Sequence, residues 1–128
     1  MSKGKWRLKV KRDFSAAHQL RNYGGKCENM HGHNFGVEVE VEGNRLDDKV
    51  EILMDFKELK KEVDEVLEGL DHKHLNELEF FVKRNPSSEN IAFYIYSCLA
   101  ERLAGRDVKL VSASVSETDS STATYSEL

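Results

Sequence analysis

The chain has one proline, two cysteines and one tryptophan in 128 residues. Abundant Glu and Lys hint at a heat-adapted source. Two cysteines, Cys27 and Cys98, are not expected to pair in a reducing cytosol. Long hydrophobic runs are absent as well. None approaches the ~20 residues of a membrane span, and Met1-Ser2-Lys3-Gly4-Lys5-Trp6 contains no apolar signal core, so the expected location is cytoplasmic and no membrane partner is expected. Excess positive charge is missing too. A net charge of -4 and a pI near 5.7 leave no basic footprint for nucleic acid. At 39% hydrophobic and 33% charged residues, the composition predicts one soluble domain, residues 1–128, large enough for an ordinary core.

Histidine carries the most information. The run Cys27-Glu28-Asn29-Met30-His31-Gly32-His33 leads into Phe35, Val37, Val39 and Val41, which alternate with Glu38, Glu40 and Glu42. Side chains of a strand have a period of two, so His31 and His33 share the apolar, core-facing side at the strand's start. Two imidazoles so placed can grip one metal ion. A catalytic zinc site takes three protein ligands and keeps a fourth position open, so a third is needed. His18 ends Phe14-Ser15-Ala16-Ala17-His18, where Phe14, Ala16 and His18 share a face of a neighbouring strand. The rival pair is His72-Lys73-His74, but adjacent Asp71 suits it to another task.

The remaining elements follow from periodicity. Trp6, Leu8 and Val10 open a first strand, with a bulge expected at Arg12-Asp13. Val50–Met54 is expected to enter a helix; Asp55 and Glu58 resemble a capping box, and Phe56, Leu59, Val63, Val66, Leu67 and Leu70 form one stripe. A second helix starts after Pro86, capped by Ser87 or Ser88, and runs towards Gly105, with Cys98 on its apolar stripe as a small buried hydrophobe. Val111, Ala113, Val115 and Glu117 share one face of a late strand. This order predicts an α+β fold, an antiparallel sheet with helices on one face.

Three further groups carry chemistry. Cys27 sits in the polar loop Asn22–Asn29, where Lys26 and a nearby cation would ease its deprotonation; a surface thiol and a fourth metal ligand are the alternatives. Glu117 puts a carboxylate on the face of Ala113 and Val115. Either it lies past the core edge, or it awaits a ligand with paired N–H donors, as a pterin or guanine offers. Asp71-His72 at a helix end could hold an imidazolium during proton transfer.

Six separated motifs, Phe14-Ser15-Ala16-Ala17-His18, Cys27 with His31-Gly32-His33, Met54-Asp55-Phe56, Leu70-Asp71-His72, Asn85-Pro86-Ser87-Ser88-Glu89-Asn90 and Ser116-Glu117-Thr118, resemble in order the 6-pyruvoyl-tetrahydropterin synthase family. The resemblance implies the tunnelling fold: a four-stranded antiparallel sheet with two helices per subunit, trimers closing their sheets into a barrel, and two trimers stacking as a homohexamer. It implies zinc on His18, His31 and His33, and Cys27 as general acid/base with Asp71 and His72. Glu117 would anchor the pterin, with Ser87 and Glu89 nearby; Ser87 stands where the family usually has Thr. The implied substrate is 7,8-dihydroneopterin triphosphate. The three residues between Cys27 and His31 resemble the 6-carboxy-tetrahydropterin synthases of queuosine biosynthesis, which release acetaldehyde and triphosphate. Glu28 instead resembles the base of a folate-pathway subgroup that cleaves the side chain to 6-hydroxymethyl-dihydropterin. Formation of 6-pyruvoyl-tetrahydropterin is a further alternative, and a non-catalytic, zinc-stabilised pterin-binding protein is the reading from another class.

Overall fold

The computed structural model of the protein describes residues 4–25 and 29–128. Its elements are β1 (Trp6–His18), β2 (His31–Gly43), α1 (Phe56–Leu67), β3 (Lys73–His74), α2 (Ser88–Arg102), β4 (Lys109–Thr118) and β5 (Ser121–Tyr125), with two single 3-10 turns between β3 and α2. The sheet order is β3-β1-β2-β4-β5. β1 and β2 pair antiparallel without a break from Trp6 opposite Gly43 to His18 opposite His31. Facing residues of such a pair share a side. Val10, Phe14, Ala16 and His18 are therefore buried with Phe35, Val37, Val39 and Val41. Helix α1 packs on β1, and α2 packs on β4 and β5. Leu59 and Val63 of α1 meet Ile91, Ile95 and Leu99 of α2 in the same fully buried core.

The architecture is the expected α+β layer, with four long antiparallel strands and one addition. Strand β3 is a two-residue piece parallel to β1, Lys73 opposite Ala16 and His74 opposite Ala17. Two residues have no periodicity to detect. What creates the strand is tertiary: the amide of Ser15 donates to Asp71 Oδ1 at 2.9 Å, and the amide of His72 donates to the Ser15 carbonyl at 2.6 Å.

Local expectations differ at five places. No bulge interrupts Arg12-Asp13; Arg12 stays on its strand and reaches α1, where its guanidinium makes a two-pronged pair with Asp64 at 2.7 and 2.8 Å. Residues 50–54 are not helical. Glu51 has φ of 63°, and Asp47 gathers the amides of Lys49, Val50 and Ile52 into a turn. Asp55 caps α1 by accepting from the Lys57 amide, and Phe56, ahead of the stripe, is half-exposed. In β4 the pairing with β2 shifts between Glu40 and Val41, leaving Val111 unmatched, so Leu110 rather than Val111 enters the core. Cys98 is only half-buried, beside Tyr94, and burial pushes its thiol pKa up.

Candidate functional site

The antiparallel register brings the end of β1 against the start of β2, and three imidazoles meet there. Ring centroids of His18 and His31 are 4.5 Å apart, those of His18 and His33 5.4 Å, and those of His31 and His33 4.8 Å. One ring nitrogen from each lies within 4.8 Å of the others. His18 is fully buried, the other two half-buried.

Hydrogen bonds orient these rings. His18 Nδ1 is 2.6 Å from the Pro86 carbonyl and His31 Nδ1 is 2.8 Å from the Asn29 carbonyl. A carbonyl only accepts, so each Nδ1 carries a proton, and in the neutral ring Nε2 is the nitrogen left with a lone pair, the arrangement typical of metal-bound histidine. His18 Nε2 is buried and has no hydrogen-bond partner. Burial lowers the His18 pKa, against the opposing pull of the Pro86 bond, and favours the neutral, ligating form.

Glu117 completes this end of the sheet. Pairing between β4 and β5 sets Ser116 opposite Thr122 and Thr118 opposite Ser121, so Glu117 is the extra residue of a bulge. Bulges re-aim side chains. Glu117 Oε1 lies 3.5 Å from His18 Nε2 and Oε2 lies 3.7 Å from His33 Nε2, while Ser88 Oγ donates to Oε1 at 3.4 Å. A carboxylate facing the lone pair of a neutral imidazole is repulsive unless a cation or proton lies between them. The donor set therefore fits a divalent metal such as zinc, with three imidazole nitrogens and a carboxylate at the rim.

The other expected residues are placed as follows. Asp71 Oδ2 is 3.0 Å from His72 Nδ1. The Ser15 amide holds the Asp71 carboxyl below the usual range, opposed by desolvation and aided by His72. His72 has φ of 58°, and its side chain is 81% exposed. It lines a cleft of about 570 Å³ together with His33, Ser15, Asn34, Lys73 and His74. Ser87 spends its hydroxyl on capping α2, accepting from the Asn90 amide at 3.2 Å, and Glu89 is exposed in the first turn. Ser88, rather than Ser87, touches Glu117. Cys27 and Glu28 lie outside the described residues. Sequence reasoning missed the Pro86 carbonyl and the Ser88 hydroxyl, because the backbone oxygen has no side-chain signature and Ser88 reads only as a helix cap.

The 6-pyruvoyl tetrahydropterin synthase family model matches residues 7–128. The chain belongs to this family. It is 42% identical over 106 residues to a dihydroneopterin monophosphate aldolase of Pyrococcus furiosus, covering 83% of this chain and 84% of that protein. It is 41% identical over 109 residues to a putative 6-carboxy-5,6,7,8-tetrahydropterin synthase of Archaeoglobus fulgidus, covering 84% and 86%. The solved structure of Caenorhabditis elegans 6-pyruvoyl tetrahydropterin synthase superposes with a TM-score of 0.87 at 30% identity, covering 98% of this chain and 97% of that one. No helix among the described residues is long and apolar enough to cross a membrane.

Proposed function

We propose that this family member is a zinc-dependent lyase that converts 7,8-dihydroneopterin triphosphate to 6-carboxy-5,6,7,8-tetrahydropterin with release of acetaldehyde and triphosphate. The observation that carries this reading is the convergent set of His18, His31 and His33, with a buried, partnerless Nε2 on His18. When bound, zinc supplies Lewis-acid polarisation of substrate oxygens. His18 and His31 hold their lone pairs inward through the Pro86 and Asn29 carbonyls. Cys27, four residues before His31, is the group assigned to move the substrate proton. Asp71, tied to Ser15, orients His72 to accept or return a proton at the cleft.

Glu117 has two roles open to it. The family resemblance makes it the pterin anchor with Ser87 and Glu89. Its place between His18, His33 and Ser88 supports action beside the metal histidines, on the substrate side chain.

A second reading is favoured by the Pyrococcus furiosus aldolase and by Glu28 standing next to Cys27: cleavage to 6-hydroxymethyl-7,8-dihydropterin, the folate-branch reaction. The test is incubation of the zinc-loaded protein with dihydroneopterin triphosphate, and separately with the monophosphate, followed by identification of the pterin and the released two-carbon fragment. Acetaldehyde and triphosphate with the carboxypterin support the first reading; the hydroxymethylpterin with a glycolaldehyde that keeps the substrate's phosphate group supports the second. Pterin binding without turnover would leave a non-catalytic pterin-binding protein.

A further inference from the structure

We propose that Lys73, presented by β3 beside His72 and His74, binds the phosphate tail of the substrate in the cleft next to the metal histidines. This rests on the reading above only in supposing a phosphorylated substrate. Cations elsewhere on this part of the sheet are already engaged or too distant. Arg7, Lys9 and Lys11 are paired with Glu38, Glu40 and Glu42. Lys11 is also seven positions from His18 along β1, roughly 23 Å at strand spacing. Arg21 donates to the carbonyls of Phe81 and Arg84 at 2.7 and 2.6 Å. Among the described residues, Lys73 is the one lysine or arginine that lines the cleft shared by His33 and His72, and it has no ion-pair partner.

The cleft is built for a polar occupant. Asp71 and His72 clamp their segment to both backbone groups of Ser15, and the positive φ of His72 turns the chain so that β3 lies along the β1 edge. The position of Lys73 is thus held by backbone bonds, while its ammonium is left exposed. His74 also lines the cleft, and its Nε2 is buried without a hydrogen-bond partner. On the same wall the Ser15 hydroxyl donates to Asn34 Oδ1, which leaves the Asn34 side-chain NH2 as the donor this pair offers. At about 570 Å³ the cleft has room for a phosphate chain beside the metal end. An ammonium with amide and imidazole groups is a donor set that phosphate oxygens take.

The test measures binding of inorganic triphosphate and of inorganic phosphate to the full chain by calorimetry and by amide shifts at Ala17 and Asn34. Zinc-loaded and metal-free protein are both used, which separates chelation of zinc from contact with Lys73. Lys73→Met should weaken triphosphate binding about tenfold or more in both forms, as loss of a charge-assisted bond does, and Lys73→Arg should retain it. The Lys73 side chain is exposed and β3 pairs through its backbone, so the fold survives either change. Unchanged affinity in Lys73→Met, loss seen instead in Lys26→Met, or no binding to the parent protein at millimolar triphosphate would overturn the assignment. Absence of pterin turnover with Lys73-dependent triphosphate binding intact would count against the proposed reaction alone.

Discussion

At the scale of single residues, the adjacent Cys27 and Glu28 separate the two proposed reactions. Side chains one position apart point differently on a regular backbone, and both face one substrate only if the loop turns sharply; Gly24, at φ of 77°, and Gly25 precede it. Cys27→Ala is expected to lose carboxypterin formation, by ~100-fold to 10,000-fold if it is the sole base, while keeping some cleavage to the hydroxymethylpterin. Glu28→Ala should show the opposite bias. Product ratios measured on both variants decide this; an unchanged ratio and rate in Glu28→Ala returns Glu28 to the solvated loop. Asp47 has a purely structural role, and its pH dependence has a definite sign. Amides of Ile52, Val50 and Lys49 depress its pKa, the Ile52 bond most. A depressed carboxyl stabilises the fold above its unfolded value, about 3.9, and loses that contribution as pH falls through the folded value. The melting-temperature gap between the parent and Asp47→Asn should therefore be widest near neutrality and close below about pH 4.

At the scale of elements, helix α2 links stability to the site. Its N-cap Ser87 satisfies the Asn90 amide, and the preceding Pro86 carbonyl fixes the His18 ring. Ser87→Ala should cost about 1 kcal/mol in denaturant unfolding, whereas Ser87→Thr should cost less. Loss of metal affinity in Ser87→Ala together with that destabilisation would show that the cap also positions Pro86. The sheet's uncovered face is organised differently. Lys5, just before β1, and Arg7, Lys9 and Lys11 along it pair across to Glu42, Glu40 and Glu38, while Ser114 meets Thr124 and Ser116 meets Thr122 at 2.7 and 2.6 Å. Exposed pairs of this kind contribute little singly. They hold register and keep this face polar.

For the whole molecule, the core does not depend on the metal: Phe14, Phe35, Leu59, Ile95 and Leu99 are buried by sheet and helices alone. If the proposed metal is bound at the histidine cluster, removing it with a chelator should abolish activity while circular dichroism and the unfolding transition change little, and a collapse of structure would make the site structural instead. Assembly adds a second test. A hexamer of the kind the family resemblance implies would share its active sites between subunits. Mixing inactive His72→Ala with inactive Cys27→Ala protein should then restore part of the activity after subunit exchange. The cleft lined by both His33 and His72 of a single chain gives the opposite outcome a physical basis: if one chain holds a complete site, no mixture recovers activity.

The sequence by itself determined which faces are buried and which residues meet at the end of the sheet. Strict alternation through Phe35, Val37, Val39 and Val41 sets a period of two, and a one-residue slip would expose the whole set, so His31 and His33 had to lie inward. Phe14, Ala16 and His18 obey the same rule, and the three-histidine cluster was legible before any coordinates. Tertiary structure decided what periodicity does not encode. The bulges at Val111 and Glu117 come from mismatch between neighbouring strands, which turned Leu110 inward and aimed the Glu117 carboxylate at His18 and His33. Strand β3 exists because Ser15 captures Asp71 and His72 across 56 residues of chain. The tautomer of His18 depends on a carbonyl 68 positions away. Such contacts are made by backbone atoms common to every residue, so only the folded chain specifies them.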